Sequence, residues 1–275
     1  MPELPEVETT IRGLNILINK KVIKIITNTK KLRYNIPSNI SYKFKDQKII
    51  STERIAKYIL INFFNNLTLI IHLGMSGRLK VTKSSYIENK HDHVIILFGN
   101  GYKLIFNDPR KFGFIDIAAT LELNQKKYIS SLGADALSIK FNTNYMYTKI
   151  KNSAVPIKQI LLNQYIVSGI GNIYACEILY DAKISPLTKG KDLHINQIRL
   201  IIKSTKKILK KAISYGGSSI KDYRSSDGTL GNFQSNFKVY GKEGQKVSKF
   251  EIIKIVQYGR ATFYCPGLQK EQNSN

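Results

Sequence analysis

Between Val22 and about Ala118 the chain is a succession of short β-rich runs separated by turn residues. That pattern confines this half to a β-sandwich or barrel. The clearest runs are 22–26, 59–63, 69–73, 93–98 and 102–106, and the last two flank Gly99-Asn100-Gly101, a turn whose residues tolerate positive φ. Ahead of them, Val7, Ile11, Leu14 and Ile18 recur at helical spacing, so one amphipathic helix opens the protein. From about Leu121 the texture turns helical. A helix over 125–132 should end at Gly133 as its C-cap, another should start at Pro156 and a third at Asn172. A long basic helix over 195–215 is stopped by Gly216-Gly217. The Ser-, Asp- and Gly-rich stretch 218–232 reads as a long loop, followed by hairpins over 237–241 and from 252 through Cys265. Residues after Gln269 are expected to fray. The fold class is therefore α+β, and 275 residues suit about two domains.

Charge narrows the partner. Lysine and arginine number 43 against 19 acids, a net charge of +24. An A/T-rich coding sequence can raise lysine by drift, but drift does not deplete acids, so a polyanionic partner is expected. A membrane is the weaker candidate. No stretch approaches the roughly 18–20 apolar residues of a spanning helix, and the N-terminus is acidic where a signal peptide is basic. With 43% hydrophobic residues a packed core is available and disorder is excluded. Cys176 and Cys265 are the only cysteines, too few for a disulfide framework or a four-thiolate zinc site. Both read as inert residues, Cys176 as part of an apolar helical run.

The opening Pro2-Glu3-Leu4-Pro5-Glu6 has two readings. Prolines and acids suit the first turn of any helix. Alternatively, the small residue at position 2 permits removal of Met1, leaving a free secondary amine. Such an amine can attack the masked aldehyde of a sugar and form an iminium. It titrates near pH 8, so a useful neutral fraction exists where lysine supplies almost none. Glu3 beside it could move the accompanying proton.

A set of motifs in fixed order decides between these readings. They are Met1 to Thr9 (MPELPEVET), Arg54-Ile55-Ala56-Lys57-Tyr58, His72 to Gly77 (HLGMSG), Lys90-His91-Asp92-His93-Val94, Asn107 to Gly113 (NDPRKFG) and Gly169 to Ala175 (GIGNIYA). Phe237 to Gly241 and Arg260 to Cys265 continue the series. Together they resemble the formamidopyrimidine-DNA glycosylases over nearly the whole chain.

The resemblance implies excision of oxidised purines, chiefly 8-oxoguanine and formamidopyrimidines, from double-stranded DNA, followed by β,δ-elimination at the abasic site. It implies Pro2 as the nucleophile on C1′ and Glu3 as proton donor. Lys57 becomes a proton donor in β-elimination that also contacts phosphate, and Glu6 a second carboxylate shaping the lesion pocket. Met75 and Phe112, each next to glycine, become wedges in the gap left by an everted base, with Arg110 facing the orphaned partner. His72, His91, Asn172 and Arg260 are the implied phosphate and strand contacts. A family lysine falls in the basic stretch where Lys149 and Lys151 flank its expected place, with Ser153 an alternative occupant, and Lys151 is the candidate. His93 stays unassigned. The implied domains are a catalytic sandwich over 1–120, a helix–two-turns–helix domain over 133–232 with a lesion-capping loop over 216–232, and a hairpin finger over 236–269.

One family feature is missing. The finger normally holds zinc in two Cys-x-x-Cys pairs, and here Val247, Phe250, Cys265 and Leu268 fall at those positions. A zincless finger packed by apolar side chains is expected, with no metal and no organic cofactor, and with Arg260 still available for δ-elimination. The expected protein is a monomer in the cytoplasm, at the nucleoid. Two rivals remain: an endonuclease VIII-like enzyme for oxidised pyrimidines, weakly favoured by the zincless finger, and a non-catalytic binder of damaged DNA. Leu4, where the endonuclease VIII branch usually has glycine, favours the purine-directed enzyme.

Overall fold

The computed structural model describes residues 1–218 and 231–270. It divides into two compact units, Met1–Ser130 with Ile213–Gln234, and Ser131–Ala212 with Ser235–Asn275. The expected loop over 218–232 therefore lies mostly outside the described residues.

The first unit opens with helix α1 (Leu4–Gly13), which buries Leu4, Val7 and Ile11 on one face. It stops at Gly13 rather than running to Ile18, and a 3-10 turn over Asn15–Leu17 carries the last apolar residues into the core. Eight strands follow, β1 (Val22–Thr27), β2 (Ile49–Ile55), β3 (Tyr58–Phe63), β4 (Leu67–His72), β5 (Arg78–Lys83), β6 (Asp92–Phe98), β7 (Tyr102–Asn107) and β8 (Phe114–Ala119), with the short helix α2 (Ile40–Phe44) between the first two. They form two antiparallel four-stranded sheets, ordered β1-β6-β7-β5 and β2-β3-β4-β8. Residues from both sheets, among them Ile25, Ile59, Ile61, Leu69, Ile71, Val94, Ile96 and Phe106, join Val7 and Ile11 in one buried cluster. The sandwich is thus closed by inward-facing residues of period-two strands.

The expected helix over 125–132 is shorter than its pattern suggests. A 3-10 stretch over Thr120–Gln125 precedes a one-turn helix α3 (Lys127–Ser130). Gly133 is not its cap. A Cβ there would lie 2.3 Å from the Ile166 carbonyl oxygen, so glycine is needed for close backbone approach.

The second unit holds β9 (Ala134–Asp135) paired in parallel with β10 (Val167–Ser168), and helices α4 (Thr143–Ile150), α5 (Ile157–Leu162), α6 (Asn172–Asp181) and α7 (Ile195–Ser214). Gly216 and Gly217 take φ of +75° and +78°, which ends α7 where the sequence places the stop. Two short strands, β11 (Lys246–Val247) and β12 (Phe250–Glu251), precede the hairpin β13 (Ile253–Gln257) and β14 (Arg260–Tyr264). The expected hairpin over 237–241 is a turn instead. Its amides, those of Lys238, Val239 and Tyr240, donate to the Glu177 carboxylate at 2.8–3.0 Å, so a side chain replaces the strand partner. No helix among the described residues is long and apolar enough to cross a membrane.

Candidate nucleic-acid interface and catalytic residues

Pro2, Glu3 and Glu6 meet at the N-terminus of α1, all buried. Glu3 caps the helix in a reciprocal capping box with Glu6, whose Oε2 accepts the Glu3 amide at 2.9 Å. The other Glu6 oxygen, Oε1, accepts the amide of Ser218 at 2.7 Å and its hydroxyl at 3.0 Å. Gly217 permits this approach, because a Cβ there would lie 2.9 Å from that oxygen.

Lys57 sits in the two-residue turn between β2 and β3, after Ala56 at φ +53°. Arg54 anchors this turn. Its Nε donates to Glu8 on α1 at 2.9 Å and its Nη1 to the Ala56 carbonyl at 3.1 Å. The lysine is only 7% exposed, so its charge is concentrated in a partly dry setting.

His72 ends β4. Its Nδ1 accepts the Gly74 amide at 3.1 Å, and its ring packs against those of Tyr58 (centroids 5.0 Å apart) and Phe114 (5.6 Å), which also touch each other at 6.1 Å. Burial, with Lys57 and Arg33 adding like charge, lowers its pKa to about 4.

The expected wedges share a support. Asp108, fully buried, accepts the Ser76 hydroxyl at 2.5 Å, the Gly113 amide at 2.8 Å and the Arg110 amide at 3.3 Å. One carboxylate therefore fixes both the Met75 loop and the Arg110–Phe112 loop. The loops touch at Gly74, where a Cβ would meet the Phe112 carbonyl carbon at 2.4 Å. Met75 is 42% and Phe112 44% exposed, and the Arg110 guanidinium lies 4.7 Å from the Phe112 ring centre. These apolar side chains are outside the core, displayed from a rigid base. His91 is held differently. Buried Asp92 accepts Asn89 and Tyr86 (2.9 and 3.1 Å) and Asn107 (2.7 Å), which orders the loop bearing that histidine. His93 is structural: its Nε2 bonds the Asp108 carbonyl at 2.9 Å.

In the second unit, Arg260 is exposed beside the Tyr258-Gly259 turn of the β13–β14 hairpin. Both turn residues have positive φ, +48° and +72°, the geometry of a type I′ turn. Asn172 begins α6 as expected, but its Nδ2 donates to the Ala261 carbonyl at 2.9 Å. Its buried Oδ1 has no partner among the described residues. Lys151 is exposed at the end of α4. The lysine that sequence reasoning passed over is Lys158, fully buried, donating to the Ala261 carbonyl at 3.0 Å and Thr262 Oγ1 at 2.7 Å. A cation inside the apolar run Ile157 to Leu162 was the available signal. Asp108 and Ser76 were missed likewise, although both lie within quoted motifs.

The four positions at which the resemblance implies zinc ligands offer one thiol and three hydrocarbons. Val247 pairs with Phe250 across β11 and β12, and both pack against the buried cluster of Cys176, Val239, Ile252, Phe263 and Cys265, with Leu268 alongside. The Phe250 ring lies on Gly267, where a Cβ would come within 2.0 Å of it. This donor set does not fit zinc. Among the described residues no three His, Cys, Asp or Glu side chains are grouped to hold a metal.

Known proteins resemble this chain in sequence and fold. Residues 1–115 match the formamidopyrimidine-DNA glycosylase N-terminal domain and residues 132–224 its H2TH domain. The formamidopyrimidine-DNA glycosylase of Zymomonas mobilis is 44% identical over 272 residues, covering 98% of this chain and 100% of the relative. That of Rickettsia bellii is 42% identical with the same coverage. Among solved structures, a Lactococcus lactis FPG mutant in complex with Fapy-dG-containing DNA superposes with a TM-score of 0.91 at 33% identity. The Lactococcus lactis Fpg complex with abasic-site DNA gives 0.90 at 34%, and each covers 98% of this chain and 100% of that one. By sequence along its whole length and by fold, the chain belongs to the formamidopyrimidine-DNA glycosylase family.

Proposed function

We propose that the protein removes oxidised purines from double-stranded DNA and cleaves the resulting abasic strand, with its covalent chemistry at Pro2. After loss of Met1, the Pro2 nitrogen attacks C1′ of the damaged nucleotide. The N-glycosidic bond breaks, the base leaves with the electron pair, and Glu3 supplies a proton as the sugar ring opens to the iminium. Loss of a C2′ proton expels the 3′ phosphate, and a second elimination expels the 5′ phosphate. Lys57 and Arg260 carry charge and protons for these departures. Met75, Arg110 and Phe112 fill the vacated stack, while His72, His91, Lys151 and Asn172 serve the strand. The observation that carries this reading is the junction at α1. Pro2 and Glu3 are buried there, and the Glu6 carboxylate holds the Glu3 amide and also grips Ser218 at the root of the expected capping loop.

The finger works without zinc on this reading, since apolar contacts among Val247, Phe250, Leu268 and the buried cluster occupy the place of metal–ligand bonds. The activity belongs with nucleoid DNA in the cytoplasm, carried out by a monomer.

Borohydride trapping on duplex DNA containing 8-oxoguanine opposite cytosine is the test. A covalent adduct with the wild type and none with Pro2→Gly is expected, with Met1 absent from the intact mass of active protein. Failure to trap, with binding intact, would leave the non-catalytic binder. Preference for oxidised thymine would leave the endonuclease VIII-like reading.

A further inference from the structure

We infer that His72 meets a DNA phosphate as a neutral, Nε2-protonated hydrogen-bond donor, its tautomer fixed by the Gly74 amide and its ring held against Tyr58 and Phe114. This rests on the nucleic-acid reading above and adds the chemical form of one contact, together with the residues that set it.

The tautomer follows from one hydrogen bond. The Gly74 N–H points at Nδ1 from 3.1 Å, so Nδ1 must present its lone pair and the single ring proton resides on Nε2. Protonating Nδ1 would set two N–H groups head to head. Nε2 has no partner among the described residues, and only a donor is left to offer there.

The surroundings oppose a second proton through burial and like charge. Lys57 follows the β2 strand and Arg33 lies on the loop whose amide bonds the Gly113 carbonyl at 3.1 Å, and both add positive charge. Tyr58 of β3 and Phe114 of β8 pack against the ring and exclude water from that flank. Tyr128 of α3 stacks on Tyr58 at 5.5 Å and meets Phe114 edge-on at 5.3 Å. Asp116, which holds Tyr128 in this group, is engaged by Lys126 (2.7 Å) and by the Tyr128 hydroxyl (2.6 Å). No carboxylate is thus shown aimed at the imidazole to favour its charged form. Tyr58, Phe114 and Tyr128 are positioning residues, and Asp116 anchors Tyr128 within them.

The arrangement has a consequence for the wedge. Gly74 is the residue before Met75, so the amide that fixes the tautomer also fixes the start of that loop. A charged imidazole would release it.

The test is histidine-selective nitrogen NMR on the full chain, which has only four histidines, with His72→Gln identifying the signal by its loss. The expected signal is that of an Nε2–H tautomer, unchanged from pH 8 to 5.5, where an ordinary histidine titrates near 6.5. In lesion-duplex binding, His72→Gln, whose amide nitrogen reproduces an Nε2 donor, should stay within about threefold of wild type, whereas His72→Asn and His72→Ala lose about tenfold. The salt dependence of binding should be unchanged in His72→Gln, because no cation is lost. Tyr58→Leu should move the titration towards 6.5, because water then reaches the imidazole. An Nδ1–H tautomer, titration near 6.5 in the wild type, or an Asn variant equal to Gln would each overturn the inference. Because the NMR measurement needs no turnover, it separates this failure from absence of borohydride trapping, which would count against the catalytic reading.

Discussion

Glu6 Oε1 accepts both the amide (2.7 Å) and the hydroxyl (3.0 Å) of Ser218, 212 residues further along the chain. The same carboxylate holds the Glu3 amide, so the residue next to Pro2 and Ser218 are fixed by one group. Glu6→Gln turns an NH2 towards one of these donors. We expect a loss of about 1–3 kcal/mol in urea unfolding and a larger fall in excision than in duplex binding. Ser218→Ala, which removes only the hydroxyl contact, should cost about 1 kcal/mol.

Asp108 has a similar position between the wedge loops. Asp108→Asn should destabilise by about 1–3 kcal/mol, because the fully buried group accepts three donors and an amide cannot accept them all. Selectivity for lesion over undamaged duplex should fall with it, as both Met75 and Phe112 lose their base. Titrating the two duplexes against the variant checks this, and unchanged selectivity would detach Asp108 from wedge placement.

Acid should weaken the first unit through His72. Its folded pKa of about 4 lies below the unfolded 6.5, so between those values the unfolded chain binds the extra proton and the folded chain does not. Stability from this group is present above pH 6.5 and is lost as pH falls towards 4, a change on the order of 3 kcal/mol. Urea midpoints from pH 7 to 4.5 should fall less steeply in His72→Gln than in the wild type.

Chelation should leave the finger intact. Melting temperature and excision are expected to be the same with and without a strong zinc chelator, and metal analysis should find no stoichiometric zinc. Gly267→Ala, by contrast, forces a Cβ into the Phe250 ring and should cost about 1–3 kcal/mol. Stoichiometric zinc whose removal unfolds the protein would refute apolar closure.

Two lysines should behave differently. Lys158→Met removes a buried cation's bonds to Ala261 and Thr262 and should lower stability by about 2–3 kcal/mol. Lys151→Met, at an exposed site, should leave stability within about 0.5 kcal/mol and reduce the salt slope of DNA binding by about one.

The sequence by itself determined the class of structure and the chemistry-bearing positions. Period-two runs specify strands because alternate residues face opposite sides of a sheet, and Gly216-Gly217 specifies the end of α7 because positive φ costs glycine little. Pro2, Arg110 and Arg260 were legible because their motifs stand in order along the chain. Tertiary structure decided what holds those residues. Glu177 replaces a strand as the partner of residues 238–240, Lys158 and Asn172 turn to the Ala261 carbonyl, and Asp108 ties together loops whose motifs are far apart in sequence. Local periodicity reports which face of an element is apolar. It carries no record of which distant backbone group a buried charge will find, since that partner exists only once the chain has folded.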